Sequence, residues 1–259
     1  MRMKIDVVLD YRLGAAGPAI VVIEAAGAEG QTLISASIDL GQPAHLGRVP
    51  GEEGIGERIV MRLEDRLTCR YGAEVEVTRP PVDLSRLDAV PVEHMPGDAL
   101  RYLLPSRYCE ADRFTNFVCS RFDGLQGGAK VAAMRDWVEG HLAYVSGISD
   151  GNTTAADTFL EGRGVCRDYA HLLIALCRAA QIPARIASVY APDVEPQDFH
   201  AVVQVYLSGD WHLVDPTGMA GADNMALVAV GRDATDVAFL TTGTAADLQV
   251  QTVKVTRLD

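Results

Sequence analysis

Residues 162–177 read GRGVCRDYAHLLIALC and place a cysteine where a helix is expected to begin. Gly162 and Gly164 precede Cys166, and an apolar helical run follows it. A helix N-terminus has unsatisfied N–H groups and a partial positive charge, and both stabilise a thiolate. The glycines allow a tight turn into the helix and leave the sulfur open to a substrate. The stretch fits a nucleophile on a rigid, buried helix, and taken alone it equally fits a small, inert cysteine packed at a turn.

A cysteine nucleophile needs a base, and the base needs a group that orients it. His200 and His212 lie on neighbouring predicted strands, in FHAVVQVYL and DWHLVD. If the turn around Ser208–Gly209 has two or four residues, Val202 faces Asp215, and His200 becomes the diagonal neighbour of Asp215 on the same side. A three-residue loop would remove this pairing. The alternative is an ordinary strand histidine and an aspartate that ends its strand.

Three blocks, GRGVCRDYAHLLIALCRAAQIPAR, DFHAVVQVYL and WHLVDPTG, resemble the motif blocks of the transglutaminase-like superfamily in that family's order of Cys, His and Asp. YLLPSRYCEADRF and AVGRDATDVAFL also resemble segments of its bacterial branch, usually described as predicted cysteine proteases. The resemblance covers roughly residues 98–259. It implies a papain-like fold in which the cysteine begins a helix packed on an antiparallel sheet. It also implies that Cys166 is the nucleophile, His200 the base and acid, and Asp215 the orienting group.

The chain departs from the family pattern at two positions. Val202 stands where the family often has Trp, two residues after the histidine. Leu160 stands where papain has a Gln that donates to the oxyanion. The backbone N–H of Cys166 can supply one oxyanion contact, and the sequence assigns no second donor.

The remaining candidates have weaker signals. Cys109 lies in a polar loop, where it either lines the site or is incidental, and Cys177 is expected in the core. Side chains beside the nucleophile either cap the helix and carry surface charge or hold the loop before it, namely Arg163, Arg167 and Asp168. Tyr169 and Trp211 are expected to be packing residues, with a substrate groove as the alternative.

The patterns predict an α+β fold. Residues 1–80 contain short alternating runs separated by turn signals, which predict a small antiparallel β-sandwich. Residues 81–97 resemble a linker. Helical spacing from about residue 128 is followed by three strand-like segments and an alternating tail. We therefore predict an N-terminal β domain at 1–80, a linker at 81–97 and a papain-like, transglutaminase-like catalytic domain at 98–259, with helices packed on an antiparallel sheet.

Composition limits the partners and the compartment. The formal net charge of −12 disfavours nucleic acid and anionic membrane surfaces. Five cysteines without a framework spacing indicate reduced thiols. The N-terminus lacks the apolar core of a secretory signal, and no stretch has the length to span a bilayer. We expect a cytoplasmic protein. The chain has no paired CxxC, HExxH or glycine-rich phosphate loop, so we expect neither a metal nor a cofactor.

These observations favour a cysteine peptidase or amidase that acts on a peptide or protein amide through a thioester. Hydrolysis is preferred on the resemblance. Transfer of the acyl group to an amine, as in a transglutaminase, uses the same intermediate and is the first alternative. A non-catalytic scaffold that retains the Cys, His and Asp is the second.

Overall fold

The computed structural model describes residues 1–258, and alternating apolar residues build its N-terminal part. In β1 the side chains of Met3, Ile5, Val7 and Leu9 are buried, whereas the residues between them are not. Side chains that alternate across a strand in this way cover one face of a sheet. The first six strands are β1 (Arg2–Leu13), β2 (Gly17–Val21), β3 (Gln31–Asp39), β4 (His45–Pro50), β5 (Glu57–Leu63) and β6 (Arg66–Val77).

Two strands from the C-terminal end complete this part, β13 (Leu240–Thr242) and β14 (Ala246–Arg257). They extend two four-stranded antiparallel sheets, ordered β14-β1-β6-β3 and β13-β2-β5-β4, whose buried side chains belong to one core. The alternating tail is therefore a strand, as predicted. It pairs with the first strand of the chain, with Ile5 opposite Val255. The domain boundaries at residues 80 and 98 stay a prediction.

The rest of the chain combines helices with a third sheet, which confirms the α+β prediction. The sheet is antiparallel and packs against α5 (Cys166–Ala179), and its strands are ordered β11 (Asp210–Val214), β10 (His200–Leu207), β9 (Ala184–Tyr190) and β12 (Ala226–Gly231). Among the described residues, no helix has both the length and the apolar character that a membrane span requires. The helices are α1 (Gly97–Leu100), α2 (Thr115–Arg121), α3 (Gly127–His141), α4 (Ala155–Glu161), α5 (Cys166–Ala179) and α6 (Ala234–Val237). The strands are β7 (Ala143–Tyr144), β8 (Arg163–Gly164), β9 (Ala184–Tyr190), β10 (His200–Leu207), β11 (Asp210–Val214) and β12 (Ala226–Gly231). Single 3-10 turns occur at Glu52–Gly54, Leu84–Arg86, Val92–His94, Arg101–Leu103, Ala111–Phe114 and Ala222–Asn224.

Helix α5 occupies the centre of this part because it is apolar on nearly every side. All of its residues from Asp168 to Arg178 are buried, including Cys177, as expected for a core cysteine. A helix buried on all sides is held by packing rather than by its own propensity. Thr154 caps the preceding helix α4, because its hydroxyl accepts from the N–H of Asp157.

An ion pair between a buried guanidinium and a more exposed carboxylate joins the N-terminal sheets to the third sheet. Nη1 of Arg185 on β9 lies 2.5 Å from Oε2 of Glu53, in the turn between β4 and β5. Tyr102 donates its hydroxyl to the same carboxylate at 2.7 Å, and Nε of Arg185 donates to Gln204 at 2.9 Å. Because the guanidinium is buried, these partners stabilise a charge that would otherwise be costly inside the protein.

Two glycine substitutions in the turn that carries Glu53 test how this turn packs against the third sheet. Gly54 and Gly56 have nearly the same backbone φ, 74° and 73°. A Cβ on Gly56 would lie 2.1 Å from the carbonyl oxygen of Val228 on β12, whereas a Cβ on Gly54 would meet nothing within 4 Å. Gly54→Ala should therefore lower the free energy of unfolding by only about 1 kcal/mol, the cost of left-handed backbone. Gly56→Ala should cost roughly 2 kcal/mol more, because the backbone must move. Urea unfolding measures both, and equal losses would contradict this packing.

Candidate active site

The turn before α5 fixes the position of Cys166. β7 and β8 form a short parallel pair in which Tyr144 lies opposite Gly164. The buried carboxylate of Asp168 accepts from the N–H of Val165 at 2.9 Å and so caps the helix. A Cβ on Gly164 would approach the Cβ of Asp168 to 2.7 Å, so glycine is required for this close turn. The helix begins at Cys166, which is partly exposed, as the sequence predicts for a reactive thiol.

The β10–β11 hairpin has the register that the sequence analysis required. Its turn is Ser208–Gly209, both with positive φ, and Val203 pairs with Val214. Two-residue turns of this kind match the twist of the flanking strands. The register brings Nε2 of His200 to 2.9 Å from Oδ2 of Asp215. The hairpin therefore delivers the predicted His–Asp pair.

Both members of this pair are buried, and each stabilises the charge of the other. Burial alone would raise the pKa of Asp215, but the bonds from His200 and from Thr217, whose N–H lies at 2.8 Å, hold it below its usual value. The N–H of Ala220 adds a further bond at 3.0 Å. Burial likewise opposes a charged imidazole, yet Asp215 and Cys166 outweigh it and raise the pKa of His200 to about 10. The arrangement favours an imidazolium beside a carboxylate.

The two ring nitrogens of His200 have different surroundings. Since Nε2 binds Asp215, Nδ1 is the nitrogen left to exchange a proton with a neighbour. Nδ1 is buried and has no regular hydrogen bond within residues 1–258. The thiol of Cys166 is the neighbouring group that acts on the ring besides Asp215, and its Sγ lies 3.9 Å from the carbonyl oxygen of Phe199. The structure thus brings Cys166, His200 and Asp215 together from three elements; their roles stay a prediction.

Tyr144 is a residue of this site that the sequence analysis missed. Its hydroxyl lies against both the backbone and the thiol of Cys166. Burial, followed by the negative charge of Cys166, raises the pKa of Tyr144, so the phenol stays protonated and able to donate. The signal in the sequence is weak, because HLAYV contains a strand of only two residues directly after α3. The helical spacing that begins at about residue 128 continues through this stretch, whereas the helix itself ends at His141.

A cavity of about 460 Å³ opens beside the cysteine. Its wall combines apolar side chains, which include Ile186, Phe199 and Phe239, with the charged or polar groups of Arg107 and Ser188. A second cavity, of about 570 Å³, has Cys119 and Lys130 in its lining but neither Cys166 nor His200. The first cavity is therefore the candidate substrate site.

Other candidates lie away from the chemistry. Cys109 is fully buried and does not line this cavity, which favours the interpretation that it is incidental over the one that it lines the site. Leu160 is 77% exposed, so nothing replaces the papain Gln at that position. Tyr169 donates its hydroxyl to the carbonyl of Leu142, and Trp211 packs on Arg185, so both are packing residues. Within residues 1–258, no three His, Cys, Asp or Glu side chains are grouped to hold a metal ion.

Comparison with known proteins agrees with this geometry. The sequence profile described as "Transglutaminase-like superfamily" matches residues 106–216. The whole chain is similar to the crystal structure of a candidate cysteine protease from Cytophaga hutchinsonii, with 32% identity, a TM-score of 0.94, and coverage of 100% of this chain and 91% of that one. The chain belongs to the transglutaminase-like superfamily. The resemblance found in the motif blocks and the papain-like fold class are thereby confirmed.

A curated relative extends the comparison. An uncharacterised protein of Mycobacterium leprae is 36% identical to this transglutaminase-like chain over 144 residues. That match includes 50% of each protein, so it spans about half the length of the curated relative.

The five cysteines of this transglutaminase-like protein should differ in reactivity. Cys166 and Cys119 are accessible, whereas the other three are buried, and burial raises the pKa of Cys69 and Cys109 to about 12. If His200 acts as the base for Cys166, brief iodoacetamide treatment at pH 6.5 should label Cys166 about tenfold faster than Cys119.

Peptide mapping by mass spectrometry measures both rates. His200→Gln should remove the advantage of Cys166 and leave the rate at Cys119 unchanged. An advantage that survives in His200→Gln, or equal labelling of the two thiols in the unaltered chain, would contradict the pairing.

Proposed function

We propose that this chain is a cysteine-dependent amide hydrolase, a peptidase or amidase that acts through a thioester. The proposal rests on the 2.9 Å hydrogen bond between the buried side chains of His200 and Asp215, in the same site as Cys166 at the start of α5. A nucleophile, a base and an orienting carboxylate in this order are the parts that acyl transfer by cysteine needs. The likeness to a candidate cysteine protease supports the same class of reaction.

In the first half of the reaction, Sγ of Cys166 attacks the carbonyl carbon of the amide. An S–C bond forms, and the carbonyl oxygen takes the negative charge. Nδ1 of His200 then gives its proton to the amide nitrogen, the C–N bond breaks, and the amine leaves. Asp215 keeps Nε2 of the imidazole in place throughout, because its own carboxylate is held by the N–H groups of Thr217 and Ala220.

In the second half, water attacks the thioester. Nδ1 of His200 takes a proton from the water as its oxygen bonds to the carbonyl carbon, and the C–S bond breaks. The acid leaves, and the thiolate–imidazolium pair is restored. The bond between His200 and Asp215 persists through both halves. It holds the imidazole in one orientation while His200 acts first as the acid and then as the base.

The developing oxyanion needs donors that are already in position. The backbone N–H of Cys166 is the first, at the N-terminus of α5. The Tyr144 hydroxyl is the second in this proposal, because it lies against that same N–H and the thiol, and its raised pKa keeps its proton. It would replace the side-chain oxyanion donor that papain has at the position of Leu160, whose side chain is exposed here.

The substrate is a peptide or protein amide. The cytoplasmic location, and the expectation of no metal, cofactor, nucleic-acid or membrane partner, stay predictions. Digestion of a peptide library, with products identified by mass spectrometry, tests the reaction type. We expect free acid and amine products even in millimolar primary amine. A dominant amide-exchanged product at low millimolar amine would make the chain a transferase.

Variants of the three central residues test their roles. Cys166→Ala and His200→Ala should each lower kcat/KM by roughly a thousandfold or more, because the nucleophile or its base is lost. Asp215→Asn should cost less than either, since it removes only the orienting charge. Cys119→Ala is the matched control and should keep full activity, because Cys119 lies outside the cavity. Small, equal losses from the three central variants, with their folding verified by circular dichroism, would refute the assignment.

Tyr144→Phe tests the second oxyanion donor. It removes one hydroxyl and leaves the ring beside Tyr169, to which it is tilted at a centroid distance of 5.9 Å. Loss of one oxyanion donor lowers kcat by about a hundredfold or more in well-studied enzymes. We expect a loss of that size in kcat, with KM nearly unchanged, and unaltered iodoacetamide labelling of Cys166. A kcat equal to that of the unaltered protein would remove Tyr144 from the mechanism.

A further inference from the structure

The cavity beside Cys166 carries positive charge in a chain whose net charge is −12. Its lining within residues 1–258 contains two guanidinium groups, Arg107 and Arg167, and no carboxylate. Arg167 is already matched: its Nη2 lies 3.0 Å from Oδ1 of Asp168 and 2.7 Å from the carbonyl oxygen of Asp150. Arg107 has no ion pair with any described carboxylate. It is therefore the unmatched cation of the cavity.

Most of the hydrogen-bonding capacity of Arg107 is unused. Its guanidinium lies over the ring of Tyr108, 4.9 Å from the centroid, and Nη2 donates to the carbonyl oxygen of Gly151 at 3.4 Å. A guanidinium has five N–H donors in a planar fork that matches a carboxylate. The contacts within residues 1–258 therefore orient the group while leaving donors for a ligand.

Ring stacking and hydrogen bonds attach the loop that bears Arg107 to α5 and to the segment that begins α6. The ring of Tyr108 stacks on the fully buried His171, with centroids 4.9 Å apart and planes within 8°. Nε2 of His171 accepts from the N–H of Ala234, and Asp233 accepts from the N–H of Tyr108 at 3.2 Å. A cation on such a loop loses little conformational entropy when it binds a ligand.

A second polar group points to a ligand in the same cavity. Ser188 on β9 is only 7% exposed and lines the cavity, yet its hydroxyl has no hydrogen-bond partner within residues 1–258. The rings of Phe199 and Phe239 stack on each other with centroids 4.4 Å apart and give the same cavity an apolar wall. Binding sites commonly combine apolar walls with a few placed polar groups, and the Ser188 hydroxyl has its hydrogen-bonding capacity available to a ligand in the cavity.

We propose that this cavity selects substrates with a carboxylate close to the scissile amide, and that Arg107 binds this carboxylate. The inference rests on the proposed function and adds the substrate class. The apolar part of the ligand packs on Phe199 and Phe239, and its polar atoms reach Ser188. The carboxylate comes either from an acidic side chain on the acyl residue or from the C-terminus of a short peptide.

The first arm of the test uses covalent probes that react with Cys166 without turnover. N-acetyl-glutamyl and N-acetyl-glutaminyl acyloxymethyl ketones differ only in the carboxylate, and mass spectrometry measures the second-order rate of labelling. We expect a preference of about tenfold for the glutamyl probe, the lower range for a hydrogen-bonded charge. Arg107→Gln should bring the ratio near one, and Arg107→Lys should retain part of it. Arg121→Gln, which removes an exposed charge outside the cavity, should leave the ratio unchanged.

The second arm separates the two sources of carboxylate. Acetyl-alanyl-alanine and its C-terminal amide compete against iodoacetamide labelling of Cys166. Stronger protection by the free acid, lost in Arg107→Gln, supports a terminal carboxylate; a preference confined to the glutamyl probe supports an acidic side chain. Labelling of Cys166 without preference in both arms would overturn the inference and leave the proposed function in place. A preference that persists in Arg107→Gln would overturn the role of Arg107. Failure of every probe to label Cys166 would overturn the proposed function, and this inference with it.

Discussion

The bond between His200 and Asp215 is the interaction on which the rest of the site depends. Both groups are buried, and a buried charge without a partner is costly, so each requires the other. A two-residue turn sets the register that joins them, and Thr217 and Ala220 hold the carboxylate from the other side. The imidazole is thereby fixed with Nε2 occupied and Nδ1 free for proton transfer. The proposed chemistry uses this fixed orientation in both of its halves.

The sheet that carries this pair is itself held by the N-terminal part. The guanidinium of Arg185 on β9 pairs with the Glu53 carboxylate. Because Gly56 has no side chain, the same turn can approach the β12 backbone. The chain then returns through β13 and β14 to complete the two N-terminal sheets. The segment between β12 and β13 forms one wall of the cavity beside Cys166, so the return path also shapes the substrate site. The N-terminal sheets thus support the site although they contribute none of its three central residues.

Local patterns in the sequence were enough to predict much of this arrangement. The glycine–cysteine junction predicted the start of α5, and the strand alternation predicted that His200 would meet Asp215 if the turn had two or four residues, as it has. Features that depend on long-range pairing were not visible. Tyr144 lies on a strand of two residues that exists only because it pairs with β8, and no periodicity marks so short an element. Likewise, alternation identified β14 as a strand but carried no information about its partner, the first strand of the chain.

The central claim is that an acyl group is carried by Sγ of Cys166. A fast acid quench of the protein with a cleavable peptide amide, followed by intact-mass analysis and peptide mapping, tests this claim most directly. The account predicts a mass increase equal to the acyl part of the substrate, located on Cys166, removed by hydroxylamine as a thioester is, and absent in Cys166→Ala. Turnover of the same substrate with no adduct on Cys166, or with the adduct on another residue, would contradict it.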